Sequence, residues 1–442
     1  MHKLQRRLAV LAGGLVTLLG LQAATVVAQE DAAPDGAVQE SAQESSQQSS
    51  AGEDYKREDD SRNPFSFSVS ESLYYDSNLY RLPDNFPDAN VPKGKRSDFY
   101  SVTRAGVDFD GERGRQTFRA GFAASYVMYG KHTDLNNLPW DGYLSWDWRI
   151  GNRLSGVLGY SYGDSFVGFG DNFTGRNAID RERVMRQLQR ANASIDFWWH
   201  PNWATGVGYT GVWTSYDNEQ YDYGKYDAQQ ASVNITYRPS TGNRIVLSWR
   251  AEDGRYPNYP ATTGSMRDWQ RRDFQLSGHW QLTGVTQVNG YVGYTTRKYD
   301  LAHNRDFNGI TGKIAIHWVP TAKAIIDLAW RREIGADADL VSNYAASQGW
   351  SIRPTWVATS KIRVGASYEY LNRDYRGDSG ADPGSWYRPR DAKTQSFGLN
   401  LQYQPVPMAN VTLGYQYQER NATTEDYGFD TWTVWLSGRL TF

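Results

Sequence analysis

The chain contains no cysteine, which excludes disulfides, thiolate metal sites, cysteine nucleophiles and a lipid-anchored cysteine near the N-terminus. Histidine is also scarce. The six residues His2, His132, His200, His279, His303 and His317 include no pair at a metal-binding spacing. The chain reads as a non-enzyme without a cofactor. Charge of one sign is missing as well: 47 Lys and Arg face 49 Asp and Glu, so no global field attracts nucleic acid. Hydrophobic residues reach only 39%, and the single long apolar run is Leu8–Leu21, so the chain is not a polytopic helical membrane protein.

What is abundant is aromatic and small. Aromatics make up 14% of the chain, with 17 Trp and 30 Tyr, beside 42 Gly. The N-terminus opens with Lys3, Arg6 and Arg7, continues with the apolar run, and reaches small residues ending in Val26-Val27-Ala28. That order reads as a secretory signal peptide over residues 1–28, cut after Ala28. Residues 29–63 carry ten acids against three bases amid Gln and Ser. Such a segment has too little apolar surface to build a core and reads as a disordered acidic periplasmic tail.

From Phe65 onward the sequence alternates with period two. Trp432, Val434, Leu436, Gly438, Leu440 and Phe442 interleave with Thr431, Thr433, Trp435, Ser437, Arg439 and Thr441. Val411, Leu413, Tyr415 and Tyr417 interleave likewise with Thr412, Gly414, Gln416 and Gln418. Successive side chains of a strand point to opposite faces, so one face is apolar and the other small, polar or charged. The segments are longer than sandwich strands, and the apolar face often closes on an aromatic such as Trp148, Trp199, Trp213, Trp249, Trp280, Tyr294, Trp318 or Trp330. Lipid outside and water inside fit this pattern, with aromatics at two interfaces. Eight short turns alternate with nine longer polar segments, which predicts an all-β transmembrane antiparallel barrel of about 18 strands over residues 64–442, with 16 as the alternative. Both termini then lie in the periplasm of a bacterial outer membrane, and the terminal Phe442 resembles the signature that barrel-assembly machinery reads.

The predicted inner face carries Arg104, Arg119, Arg149, Arg190, Arg238, Arg250, Lys313, Arg331, Arg353, Arg363 and Arg439. Its acids are Asp108, Asp147, Asp196, Asp273, Asp327 and Glu369. A basic-biased aqueous channel favours anionic solutes. Tyr100, Tyr143, Trp198, Tyr291 and Trp435 fall on the same face and offer stacking surfaces to sugar rings. These arginines and aromatics form the expected substrate path. The long segments 164–185 and 372–391 are the candidates to fold inward as a constriction.

The string Tyr75-Asp76-Ser77-Asn78-Leu79-Tyr80-Arg81, at the end of the first strand, resembles the opening of the β-barrel porin 2 family. The chain length, the acidic segment before the barrel and the terminal Phe are similar too. Some members of that family are encoded with exopolysaccharide clusters. The resemblance therefore implies a conduit for export of a secreted polysaccharide, working with periplasmic export proteins within the outer-membrane lipid. Two other readings stay open: a general or substrate-specific porin for small anionic solutes or sugars, and a structural or adhesive barrel with a filled lumen.

Overall fold

The computed structural model describes residues 63–169, 182–258, 267–303, 306–336, 344–376, 391–423 and 428–442. The expected signal peptide, nearly all of the acidic segment and most of the segments 164–185 and 372–391 lie outside the described residues.

Eighteen strands follow one another in chain order. They are β1 (Phe65–Asp76), β2 (Asp98–Arg113), β3 (Gln116–Tyr129), β4 (Trp140–Ile150), β5 (Leu154–Phe166) and β6 (Met185–His200). Then come β7 (Trp203–Tyr216), β8 (Tyr226–Ser240), β9 (Asn243–Arg255), β10 (Asp268–Thr283), β11 (Thr286–Tyr299) and β12 (Phe307–Thr321). The last six are β13 (Ala324–Ala336), β14 (Tyr344–Val357), β15 (Ile362–Arg376), β16 (Asp391–Val406), β17 (Ala409–Ala422) and β18 (Phe429–Thr441). Each pairs antiparallel with its sequence neighbours, and β1 pairs with both β2 and β18. The sheet is thus a closed barrel of 18 strands, the larger of the two expected counts.

Closure is completed at the last residue. The Phe442 N–H donates to the Phe67 carbonyl at 2.8 Å, and the Phe67 N–H donates to the Phe442 carbonyl at 3.0 Å. The connections alternate as the sequence predicts. One end of the barrel carries eight short turns, the other the longer segments. Irregular pairing gathers at the short-turn end, at Trp198/His200, Tyr237/Ser240, Gln281/Thr283, Trp318/Thr321 and Tyr403/Val406. Gly114 and Gly242 turn the chain there with φ of +65° and +84°, a region in which a Cβ is strained.

The outer face is apolar and exposed, with Leu144, Val207, Leu276, Val292 and Leu413 between two rings of aromatics. Phe65, Trp199, Trp318 and Phe442 belong to the ring at the short-turn end, and Trp213, Trp249, Tyr294 and Trp432 to the ring at the long-loop end. Tyr75, the first residue of the string 75–81, belongs to the latter ring, 4.5 Å from Phe99 and 5.0 Å from Trp432 between ring centres. A soluble barrel would bury such a band; this is the surface of a barrel that spans a membrane. A concavity of about 690 Å³ among Phe118, Leu144, Trp146, Leu158 and Tyr209 lies on this outer wall, away from the interior.

The two faces carry opposite tolerances. Leu413→Arg, on the outer wall between the rings, is expected to lower unfolding stability in lipid vesicles by about 2–4 kcal/mol. Thr412→Arg, the neighbouring inner-wall position, should leave it nearly unchanged in the same denaturant titration.

Candidate functional site

The pleat fixes which side chains reach the interior, and the exposed outer positions fix its phase. On β2, Phe99 faces out, so Asp98, Tyr100, Val102 and Arg104 face in. The same reckoning puts all ten path arginines and all five path aromatics on the inner wall. The wall holds more charge of both signs than the alternation alone suggested, including Asp141, Glu252, Arg244, Arg271 and Arg297.

Five of the ten arginines form an ion pair within 4 Å on the wall. Arg104 reaches across β3 to Asp141 at 2.7 Å, and also donates to Ser125. Arg119 pairs with Asp147 on β4. Arg250 lies 3.9 Å from Asp273, which Arg271 also meets at 3.0 Å. Glu369 on β15 collects Arg331 at 3.1 Å and Arg353 at 3.7 Å. Arg190 lies within Coulombic range of Glu252. The remaining four, Arg149, Arg238, Arg363 and Arg439, form no ion pair within 4 Å among the described residues. All four sit near the short-turn ends of their strands, on β4, β8, β15 and β18. Arg238 crosses the small residues of β7 and lies 4.4 Å above the Trp198 ring, whose indole N–H donates to Ser155. Electrostatically Arg238 also senses Arg149 and Arg244, with Asp196 the one acid offsetting them.

The aromatics divide in a similar way. Tyr100 stacks on Tyr74 at 4.8 Å between ring centres and leans on Tyr129 at 5.1 Å. Trp435 continues this row 6.4 Å beyond Tyr74, lying over Gly414, where any Cβ would collide with the indole. Tyr143 lies over Gly121 in the same manner and donates to Asp108. The glycines give the flat rings room against the wall. Tyr291 stands apart from this row, on β11.

The segment that turns inward is 77–97, between β1 and β2. Leu79, Tyr80, Leu82 and Val91 are buried with Val127, Tyr129 and Leu135, and Tyr100 and Val102 pack against the same cluster. Val127, Tyr129, Tyr100 and Val102 are all inner-wall residues, so this segment lies inside the long-loop mouth of the barrel. Of the two segments expected to constrict the pore, only Val167, Phe169 and a few flanking residues are described; Phe169 packs on Tyr80 at 4.6 Å.

The string 75–81 is the anchor of this inward turn. Arg81 adopts φ of +52° and donates to both carboxylate oxygens of Asp76, at 3.0 and 2.9 Å. Asp76 also accepts from the Asn78 N–H at 2.9 Å and from the Thr431 hydroxyl at 3.0 Å. The Asn78 side chain closes a ring with Leu82, accepting its N–H and donating to its carbonyl, and donates to the Asp430 carbonyl on β18. At the far end of the segment, Asp98 and His132 are buried together 2.8 Å apart. Asp98 accepts the N–H groups of Phe99, Lys131 and His132 as well. Lys93 reaches Asp134 between β3 and β4. Partial burial raises the Asp134 pKa, but the hydrogen bond and charge of Lys93 outweigh it and hold the carboxyl below its ordinary value. That contact is therefore present at neutral pH and weakens as the pH falls into the carboxylate range.

Sequence reading missed two groups. The apolar residues Leu79, Leu82 and Val91 in an otherwise polar segment were the available signal for inward folding. The second group is a buried patch on β8–β11, where Arg297 lies 3.6 Å above Trp269, Thr295 donates to Asp273 at 2.6 Å, and Gln230 donates to Glu252 at 2.9 Å. Its residues alternate correctly, but their mutual contacts depend on register across four strands.

No protein-family model matches the chain, and no curated protein matches it in sequence. Among solved structures, OpdK of Pseudomonas aeruginosa with vanillate is 9% identical, covers 86% of this chain and 99% of its own, and superposes with a TM-score of 0.46. OccK2 (OpdF) of Pseudomonas aeruginosa in complex with glucuronate is 10% identical, with 86% and 98% covered and a TM-score of 0.47. A BenF-like porin from Pseudomonas fluorescens Pf-5 is 11% identical, with 85% and 98% covered and a TM-score of 0.46. Likenesses this distant assign the chain to no family, and the barrel stands on its own strand pairing.

The anchor gives a direct expectation. Arg81→Ala leaves the buried Asp76 carboxylate without its cation, a change that costs about 3–5 kcal/mol when such a pair is broken. Segment 77–97 should then detach. Trypsin should cut at Lys93 and Lys95 at least tenfold faster than in the unaltered protein, while the barrel itself stays intact on a gel.

Proposed function

We propose that the chain is an outer-membrane channel for small anionic solutes. A closed barrel with an apolar outer band, aromatic rings at both rims and short turns at one end is built for the bacterial outer membrane, with those turns in the periplasm. A barrel of 18 strands encloses an aqueous path. The observation that carries the reading is the set of four inner-wall arginines, Arg149, Arg238, Arg363 and Arg439, that lack an ion-pair partner among the described residues. Paired charges along the wall cancel at short range, whereas these four guanidinium groups stay available to an anion at the periplasmic end.

The inward segment 77–97 supports small cargo. A polymer threading through the barrel has to pass a mouth that Leu79, Tyr80 and Leu82 already occupy in part. The export reading rested on the string 75–81. That string has a local task, holding the segment to the wall through Asp76, Asn78 and Arg81, which calls for no polysaccharide. The porin reading is therefore the better supported of the two. On it, the partners are outer-membrane lipid and a small anionic solute.

Planar bilayers test this. The purified protein in a KCl gradient should show a reversal potential on the chloride side. The combined variant Arg149→Glu, Arg238→Glu, Arg363→Glu and Arg439→Glu should carry it across zero to the potassium side. A strain lacking the gene should secrete polysaccharide at the normal level. A cation-selective parent channel, or loss of secreted polymer with retention inside the cell, would contradict the proposal.

A further inference from the structure

Between the two aromatic rings, the outer wall carries one carboxylate among the described residues. The outward residues of β1 are Phe65, Phe67, Val69, Glu71, Leu73 and Tyr75, and Glu71 is exposed like its neighbours. It stands six residues from Phe65 and four from Tyr75. At about 3.3 Å per residue and a tilt of about 40°, that is about 15 Å from one ring and about 10 Å from the other, well within the hydrocarbon. The other outward charged strand residues among those described lie level with a ring or beyond it. Arg272, Arg332 and Glu419, for example, each stand two residues past an outer-ring aromatic, Phe274, Trp330 and Tyr417.

Lipid chains offer a carboxylate no donor, so an ionisable group at this depth marks a contact with something other than lipid. Glu71 has one hydrogen bond among the described residues, accepted from the Thr103 hydroxyl of β2 at 2.5 Å. A carboxylate has capacity for about four. Small residues surround it. Gly438 of β18 lies directly across from Glu71, Ser101 stands two positions from Thr103 on the same face, and Ala105 faces Ala124. The patch is shallow enough for another backbone to approach closely.

It is also self-complementary. Glu71 and Thr103 are cross-strand partners, so an acceptor and a donor sit side by side at one depth. Two copies inserted in the same orientation are related by an axis along the membrane normal, which keeps each residue at its depth. An axis passing between Glu71 and Thr103 brings each Glu71 opposite a Thr103 hydroxyl of the other copy. No other chemistry is needed from the partner. We infer that the β1–β2 face around Glu71 is the contact through which a second copy of this chain packs in the membrane as a two-fold dimer.

The absence of cysteine makes the test clean. Ala105→Cys places one thiol on the proposed contact, and Ala231→Cys places one on the outward face of β8, six strands away. Mild oxidation of isolated outer membranes should convert Ala105→Cys to a product of twice the monomer mass, at least tenfold more than Ala231→Cys. Adding Glu71→Leu should reduce that product at least tenfold, whereas Glu71→Gln, which still accepts and donates, should retain most of it. Heat-modifiable migration on gels establishes that each variant has folded as a barrel. Equal products from the two thiols, a product unaffected by Glu71→Leu, or a product of some other mass would overturn the assignment, the last by showing a different protein on this face. None of these readouts depends on ion selectivity, so the dimer and the proposed channel activity fail separately.

Discussion

The structure depends on leaving no strand edge open. A strand in hydrocarbon cannot lend its N–H and C=O groups to water, so each must find a partner strand on both sides. Eighteen antiparallel strands meet that demand only because β1 returns to β18, sealed by the reciprocal bonds between Phe67 and Phe442. Once the ring is closed, the pleat leaves each strand residue two choices, lipid or interior. The apolar set ending in Phe442 and the polar set ending in Thr441 are the same constraint seen from its two sides.

Closure also explains where the interior can vary. Along the middle of the wall, charges face charges across one or two strands, as Arg104 faces Asp141 and Glu369 faces Arg331 and Arg353. These pairs brace neighbouring strands and leave little net field. The two ends differ. At the long-loop end, the string 75–81 takes the chain off the seam between first and last strands and into the mouth, with Asp76 and Asn78 tied to both β1 and β18. At the short-turn end, Arg149, Arg238, Arg363 and Arg439 form no ion pair within 4 Å among the described residues. On the proposed reading, a narrowed entrance above these four arginines would pass small anions and slow larger or cationic solutes. Both features are built on rigid strands or pinned to them, so neither requires moving parts.

Much of this was legible in the sequence because lipid enforces a strict alternation. Strand number, the order of short and long connections, and the face of every path residue from Arg104 to Trp435 follow from period two and turn residues alone. Pairing was not legible. Whether Arg119 meets Asp147 within ion-pair distance and Arg149 does not depends on Asp147 lying across from Thr117 and two positions from Arg149, a matter of register and rotamer. Which segment folds inward was equally hidden, since the contacts of Leu79 and Tyr80 with Val127 and Tyr129 span about fifty residues of chain. The segments 164–185 and 372–391 were the expected constrictions, whereas burial of a few apolar side chains selects 77–97. Glu71 was in plain view as the wrong residue type within the set Phe65, Phe67, Val69, Leu73 and Tyr75, a local break in pattern of the kind that marks function.

Single-channel conductance is the most direct measure of the central claim, that segment 77–97 narrows a channel open to small anions. Replacing residues 83–93 with a four-residue Gly-Ser linker keeps the strands and the anchor while removing most of the inward mass. The account predicts a clear step up in conductance with the preference for chloride retained. Conductance unchanged by that replacement, or no conductance in either form, would contradict it.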